Sequence, residues 1–153
     1  MNRVFLDCEF NGFGGELISL AMVTESGEEW YEVLNDEPVR PQPWVKVNVL
    51  PKLGKERVPA TKFYLSFHAW TQLHCREAEI IADWPADFTH FNMIMDEVGR
   101  QLGFMLPMPY KMSLIERREE IITPELAHNA LNDARALRDW YLLSPLSIST
   151  PSA

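Results

Sequence analysis

Residues 3–34 read RVFLDCEFNGFGGELISLAMVTESGEEWYEVL, and this stretch decides the fold. Three apolar runs, Arg3 to Glu9, Glu16 to Thr24 and Glu28 to Leu34, are separated by the turn signals Asn11-Gly-Phe-Gly-Gly15 and Glu25-Ser-Gly27. Runs rich in Val, Ile, Phe and Trp, punctuated by Gly and Asn, read as strands joined by short turns. The pattern predicts an antiparallel meander of three strands. Cys8, inside the first of them, reads as a small core residue.

Beyond the meander, Asn35 to Ala60 holds five of the eleven prolines, so it is expected to be loop-rich, with one short helix at Trp44–Leu50. Thr61 to Ala78 reads as a helix and Glu79 to Ala82 as a buried strand. Phe88 to Leu102 reads as a helix with Phe91, Ile94, Met95 and Val98 on one face. Residues 103–124 fit no single pattern. The clearest helix is the last, Asn129 to Leu143, where Ala130, Ala134, Leu137 and Tyr141 recur as one stripe. With no repeat and no linker, residues 1–144 are expected to form a single domain and 145–153 a flexible tail. Strands followed by alternating helices and strands predict an α/β fold: a mixed sheet, the meander plus further strands, with helices on its faces.

Composition narrows the function classes. No apolar run approaches the ~20 residues of a membrane span. The N-terminal apolar stretch meets Asp7 too early for a signal peptide, so a cytoplasmic protein is the expectation. Two cysteines imply no disulfide framework, and His68, His74, Cys75 and His90 do not fall into paired zinc-ligand clusters. The net charge of −8 has the wrong sign for binding nucleic acid through a broad basic face. It leaves open a strand end held through divalent cations, which turn a carboxylate cluster into a phosphate site.

Asp7 and Glu9 are that cluster's first members. Two apart on a strand, they point to one face, where they repel each other and lose hydration. A divalent cation would offset both costs; two solvated acids on a wet face would need none. Asp133 lies at the edge of the buried stripe of the last helix, positioned to look inward at the sheet. His128 precedes that helix, with Asn129 as its N-cap candidate. Asp87 follows the Glu79–Ala82 strand at the start of the next helix, where it is also a capping candidate, and Asp83 competes with it for the same role.

The ordered set Asp7-x-Glu9, a mid-chain Asp, and His128 five residues before Asp133 resembles the signature of the DEDDh exonucleases. That superfamily has a ribonuclease H-like fold and includes ribonuclease T, oligoribonuclease and polymerase proofreading subunits. Phe5-Leu-Asp-Cys-Glu-Phe10, Glu16-Leu-Ile-Ser19, Trp44-Val45, Val49-Leu-Pro-Lys-Leu53 and His128-Asn-Ala-Leu-Asn-Asp-Ala-Arg135 look most like the small mycobacterial-type 3'–5' exoribonucleases. The middle segment, Asp83-Trp-Pro-Ala-Asp-Phe88, departs from the superfamily's Asn-x-x-x-Asp form. The resemblance implies two magnesium or manganese ions. Asp7 would bridge them, Glu9 and Asp133 would complete one shell, Asp87 would serve the other, and His128 would be the general base. It implies RNA or single-stranded 3' ends as partner and nucleoside 5'-monophosphates as product, and it admits a homodimer. Phe10, Asn11, Phe13 and Trp44 are the candidates for touching substrate, the aromatics by stacking on terminal bases.

Softer signals remain. Lys52, Lys55, Arg57 and Lys62 form a basic segment that could follow a phosphate backbone or simply be a solvated loop. A ribonuclease H-type nuclease without a histidine base would use the same strand acids. From a different class, a catalytically silent nucleic-acid or protein binding module could keep this fold; it would need no metal and hydrolyse nothing.

Overall fold

Alternation along β1 (Arg3–Phe10) gives the central strand two faces with different tasks. Val4, Leu6 and Cys8 join one core cluster, while Phe5 joins another on the opposite face, the face that Asp7 and Glu9 share. β1 pairs antiparallel with β2 (Leu17–Thr24), and β2 pairs antiparallel with β3 (Glu29–Leu34), which is the expected meander. A bulge at Glu9/Phe10 shifts the register just as β1 leaves the core, so that Phe10 pairs with Leu17. β2 is buried from Ile18 to Thr24 because both of its faces are covered.

The computed structural model describes residues 1–36, 38–103, 111–116 and 122–144. After the meander come α1 (Pro43–Asn48), a 3-10 turn at Leu50–Lys52, β4 (Arg57–Val58) and α2 (Ala60–His74). β5 (Glu79–Ala82), α3 (Pro85–Leu102), β6 (Lys111–Leu114) and α4 (Ala130–Leu143) complete the described elements. The strands form one mixed sheet in the order β4-β3-β2-β1-β5-β6, with β4, β5 and β6 added parallel to their neighbours. Phe63 and Phe67 of α2 and Phe91 of α3 seal one face, where Trp30 meets both α2 rings edge-on. Ala130, Ala134 and Leu137 of α4 and Val45 of α1 seal the other, with Tyr31 packed between them. A six-stranded mixed sheet flanked in this way is a ribonuclease H-like α/β fold.

Three departures from the sequence reading have local causes, and a fourth comes from long-range pairing. α3 starts at Pro85, three residues before the expected Phe88, because proline suits the first helical position. Asp87 therefore lies in the first turn of α3, and the N-cap residue is Trp84. α2 ends at His74 and not at Ala78, since Glu77 turns the chain with a φ of 57°. β4 and β6, at the two edges of the sheet, were unforeseen, and β6 falls in the stretch without a pattern. The tail expected at 145–153 lies outside the described residues.

Candidate metal centre

The site grows from a fork in the sheet. β1 pairs with β5 only from Arg3↔Glu79 to Phe5↔Ile81, and β5 stops at Ala82. β1 runs on to Phe10 with no strand on that side among the described residues, and the main-chain N–H of Cys8 takes another acceptor. Asp87 supplies it: its Oδ1 accepts from the Cys8 N–H at 3.2 Å, which pulls the start of α3 against the end of β1. Asp87 is 1% exposed, and the positive end of α3 favours an acid in that turn.

The other wall is the start of α4. Asn129 caps the helix, its Oδ1 accepting from the Asn132 N–H at 3.1 Å. Its amide nitrogen donates to the Lys52 carbonyl at 2.8 Å and the Leu53 carbonyl at 3.1 Å. Lys52 returns the grip, its Nζ donating to the carbonyls of Pro124 at 2.7 Å and Ala127 at 3.2 Å. His128 is thereby held at a φ of 67°, in the left-handed region, and its N–H donates to Asp133 Oδ2 at 2.9 Å. Its ring meets Trp44 edge-on, with centroids 4.7 Å apart.

These elements bring five carboxylates to one place in two overlapping groups. Asp7, Glu9 and Asp133 each offer an oxygen within 4.8 Å of the others, and so do Asp7, Asp83 and Asp87. Asp7 belongs to both. Asp83 and Asp87, rivals in the sequence, stand side by side: β5 ends at Ala82, so Asp83 lies in the bend before α3 and does not continue the strand.

Like charges at this density change the protonation of the site. Burial, then Asp87, Glu9, Asp133 and Asp83, push the Asp7 carboxyl well above its ordinary range. Glu9 is pushed to about 8 by burial, then by Asp133 and Asp87, with Lys52 opposing. Without a cation the cluster relieves its repulsion by keeping protons. An all-oxygen donor set of this kind could hold hard divalent cations, which would remove that repulsion.

The acids floor a cleft of about 540 Å³, also lined by Phe10, Gly12, Phe13, Gln42, Trp44, Val45, Trp84 and His128. Of the candidate substrate contacts, Phe10, Phe13 and Trp44 reach this cleft. Asn11 is buried beneath it, donating to Glu16 Oε2 at 2.9 Å and the Arg40 carbonyl at 3.1 Å while accepting from the Gln42 N–H at 2.8 Å. The basic segment is largely occupied within the fold: Lys52, Lys55 and Arg57 all donate to main-chain carbonyls. Gln42 carries no pattern that marks it for a site; only the tertiary fold brings it to the cleft.

Fold and site together define a ribonuclease H-like domain with a carboxylate cluster at the parted end of its central strands. Two curated relatives match part of the chain, both named 3'–5' exoribonuclease, from Mycobacterium tuberculosis strains CDC 1551 / Oshkosh and ATCC 25618 / H37Rv. Each is 46% identical over 67 residues, which is 42% of this chain and 38% of the relative. No family model matches the chain. Among the described residues, no helix is long and apolar enough to cross a membrane.

Proposed function

We propose that this chain is a metal-dependent 3'–5' exonuclease of the DEDDh type that acts on the 3' ends of RNA or single-stranded nucleic acid and releases nucleoside 5'-monophosphates. The observation that carries the reading is Asp7, common to two carboxylate groups at the floor of one cleft beside a histidine. The partial likeness to proteins named 3'–5' exoribonuclease supports it. Asp7, Glu9 and Asp133 would hold one magnesium or manganese ion, and Asp7, Asp83 and Asp87 the other. When bound, such a pair neutralises the attacking and leaving oxygens of an in-line displacement at phosphorus.

The chain's own residues do the rest. A ring nitrogen of His128 takes the proton of the attacking water, a task suited to an imidazole. Trp44 and the Lys52–Asn129 staple fix where that ring stands. Phe10, Phe13 and Trp44 offer faces on which the terminal base stacks. The whole unit works as one domain in this reading.

A 5'-labelled RNA oligomer incubated with magnesium or manganese tests it. The expected product is a ladder shortening from the 3' end, abolished by chelator and by Asp7→Asn, with closed circles left intact. Cleavage of a circle, or undiminished cleavage in chelator, refutes the reading; a folded protein that cleaves nothing supports the silent binding module.

A further inference from the structure

The two chemical halves of the site stand on different elements. Asp7 and Glu9 belong to β1, inside the sheet, whereas His128 belongs to the loop that enters α4. His128 has a φ of 67°, a conformation that residues other than glycine rarely adopt and that only their surroundings can hold. Where its ring stands relative to the acids therefore depends on what fixes this loop to the sheet.

Both neighbours of His128 are gripped by one turn. The Ala127 carbonyl accepts from Lys52 Nζ at 3.2 Å. The Asn129 amide donates to the carbonyls of Lys52 at 2.8 Å and Leu53 at 3.1 Å. A turn can hold a loop only if it is held itself, and Tyr31 of β3 does this. Its phenol donates to the same Leu53 carbonyl at 2.8 Å and accepts from the Asn129 amide at 3.4 Å. The phenol oxygen, the Leu53 carbonyl and the Asn129 amide close a triangle that joins β3, the Lys52–Leu53 turn and the N-cap of α4.

The hydroxyl is not needed to fill space. The Tyr31 ring packs against the cluster of Val45 and Val49 and against that of Ala130 and Ala134. A phenylalanine would do the same without removing an oxygen from water. Burial first, with Glu9 and Asp7 adding to it, pushes the phenol up to about 12, so near neutral pH it is a neutral donor within electrostatic reach of both acids. Lys55 steadies the main chain here, its Nζ donating to the Tyr31 carbonyl at 2.6 Å and pairing with Glu32 at 3.0 Å.

We propose that Tyr31 is a positioning residue for His128: its hydroxyl registers the loop that carries the general base against the acids of the sheet. The inference rests on the exonuclease reading and gives Tyr31 no contact with substrate or metal. The loss on removing the hydroxyl is thus confined to the step in which His128 takes a proton, and substrate and metal binding are left alone.

Tyr31→Phe keeps the ring and removes the hydroxyl. It should lower kcat about 2- to 10-fold, the worth of one net hydrogen bond. KM for a short oligouridylate, and the magnesium or manganese concentration giving half-maximal rate, should stay at their wild-type values. The decisive arm repeats the substitution in His128→Ala, read by single-turnover rates. With no ring to position, Tyr31→Phe should there lower the rate no further. A residue that served the fold alone would cost the same factor in both backgrounds. Should Tyr31→Phe fail to fold by circular dichroism, Asn129→Ser keeps a capping oxygen, removes the amide corner of the triangle and must show the same coupling to His128. An unchanged kcat, an equal penalty in both backgrounds, or a change that falls on KM or on the metal requirement overturns the role of Tyr31 and leaves the exonuclease reading standing. If the wild-type chain cleaves no oligomer with magnesium or manganese, the exonuclease reading falls and the role of Tyr31 with it.

Discussion

Replacing Glu9 by Gln should make the metal-free protein more stable at pH 8 and inactive at every pH. Glu9 is 9% exposed, and its carboxyl is pushed from 4.5 to about 8, first by burial and then by Asp133 and Asp87. Between those two values the folded chain holds a proton that the unfolded chain has lost. Stability must therefore fall as pH rises through that window. At ~1.36 kcal/mol per pH unit, the loss from Glu9 is on the order of 4 kcal/mol by pH 8, and Asp7 adds to it in the same direction. Gln cannot ionise, so it escapes the loss, although its amide must find partners in a cramped site at a cost of ~1–3 kcal/mol. That cost is the same at all pH values. The decisive quantity is thus the difference in ΔΔG between pH 8 and pH 4.5, expected to favour Gln by roughly 3–5 kcal/mol. Urea unfolding in chelator at the two pH values measures it. Magnesium or manganese should stabilise wild type at pH 8 by mass action and do less for the variant. A Glu9→Gln protein no more stable relative to wild type at pH 8 than at pH 4.5 would refute the idea that crowded carboxylates govern this site.

Asp87→Ala should cost far more activity than Asp83→Ala, because Asp87 also anchors the Cys8 N–H; yet Asp83→Ala should still cost about tenfold or more, the scale of a lost metal contact. Steady-state rates at saturating metal decide between them. His128→Ala should lower kcat by ~10²–10⁴ while metal titration by calorimetry stays close to wild type, since every carboxylate remains. Asn129→Ala removes a cap and the staple to Leu53, so it should destabilise by ~2–3 kcal/mol and lower Tm by several degrees; it should also lower kcat, because His128 loses its seat. A calorimetric scan and a rate measurement check both halves.

The meander was legible because its signals are local: Gly-rich turns between β-branched runs need no knowledge of the rest of the chain. The acids of β1 were legible for the same reason, as alternation alone puts Asp7 and Glu9 on one face. Asp133 could be read from the helical stripe of α4. β4 and β6 could not, since they are short and exist through pairing with partners distant in sequence. The Asp83–Asp87 pairing was hidden because the sequence poses them as alternatives, while the early end of β5 and Pro85 at the start of α3 bring both to Asp7. Lys52, read as a candidate phosphate contact, is a structural brace for a loop more than seventy residues away, a role with no sequence signature.

The bond from the Cys8 N–H to Asp87 has a consequence for how this protein could be altered. The donor is main chain, so this bond does not depend on the side chain at position 8, although the Cys8 thiol also reaches the Asp87 main-chain carbonyl at 3.8 Å. Exchanging Cys8 for Ala or Val would keep the N–H bond to Asp87 while losing the thiol's contact with the Asp87 carbonyl and changing the packing beneath. Proline alone, having no N–H to give, would cut the tether without touching an acid. The position of the middle carboxylate is thus written into the backbone where two strands part company, and a designer could rebuild the core around residue 8 without moving it.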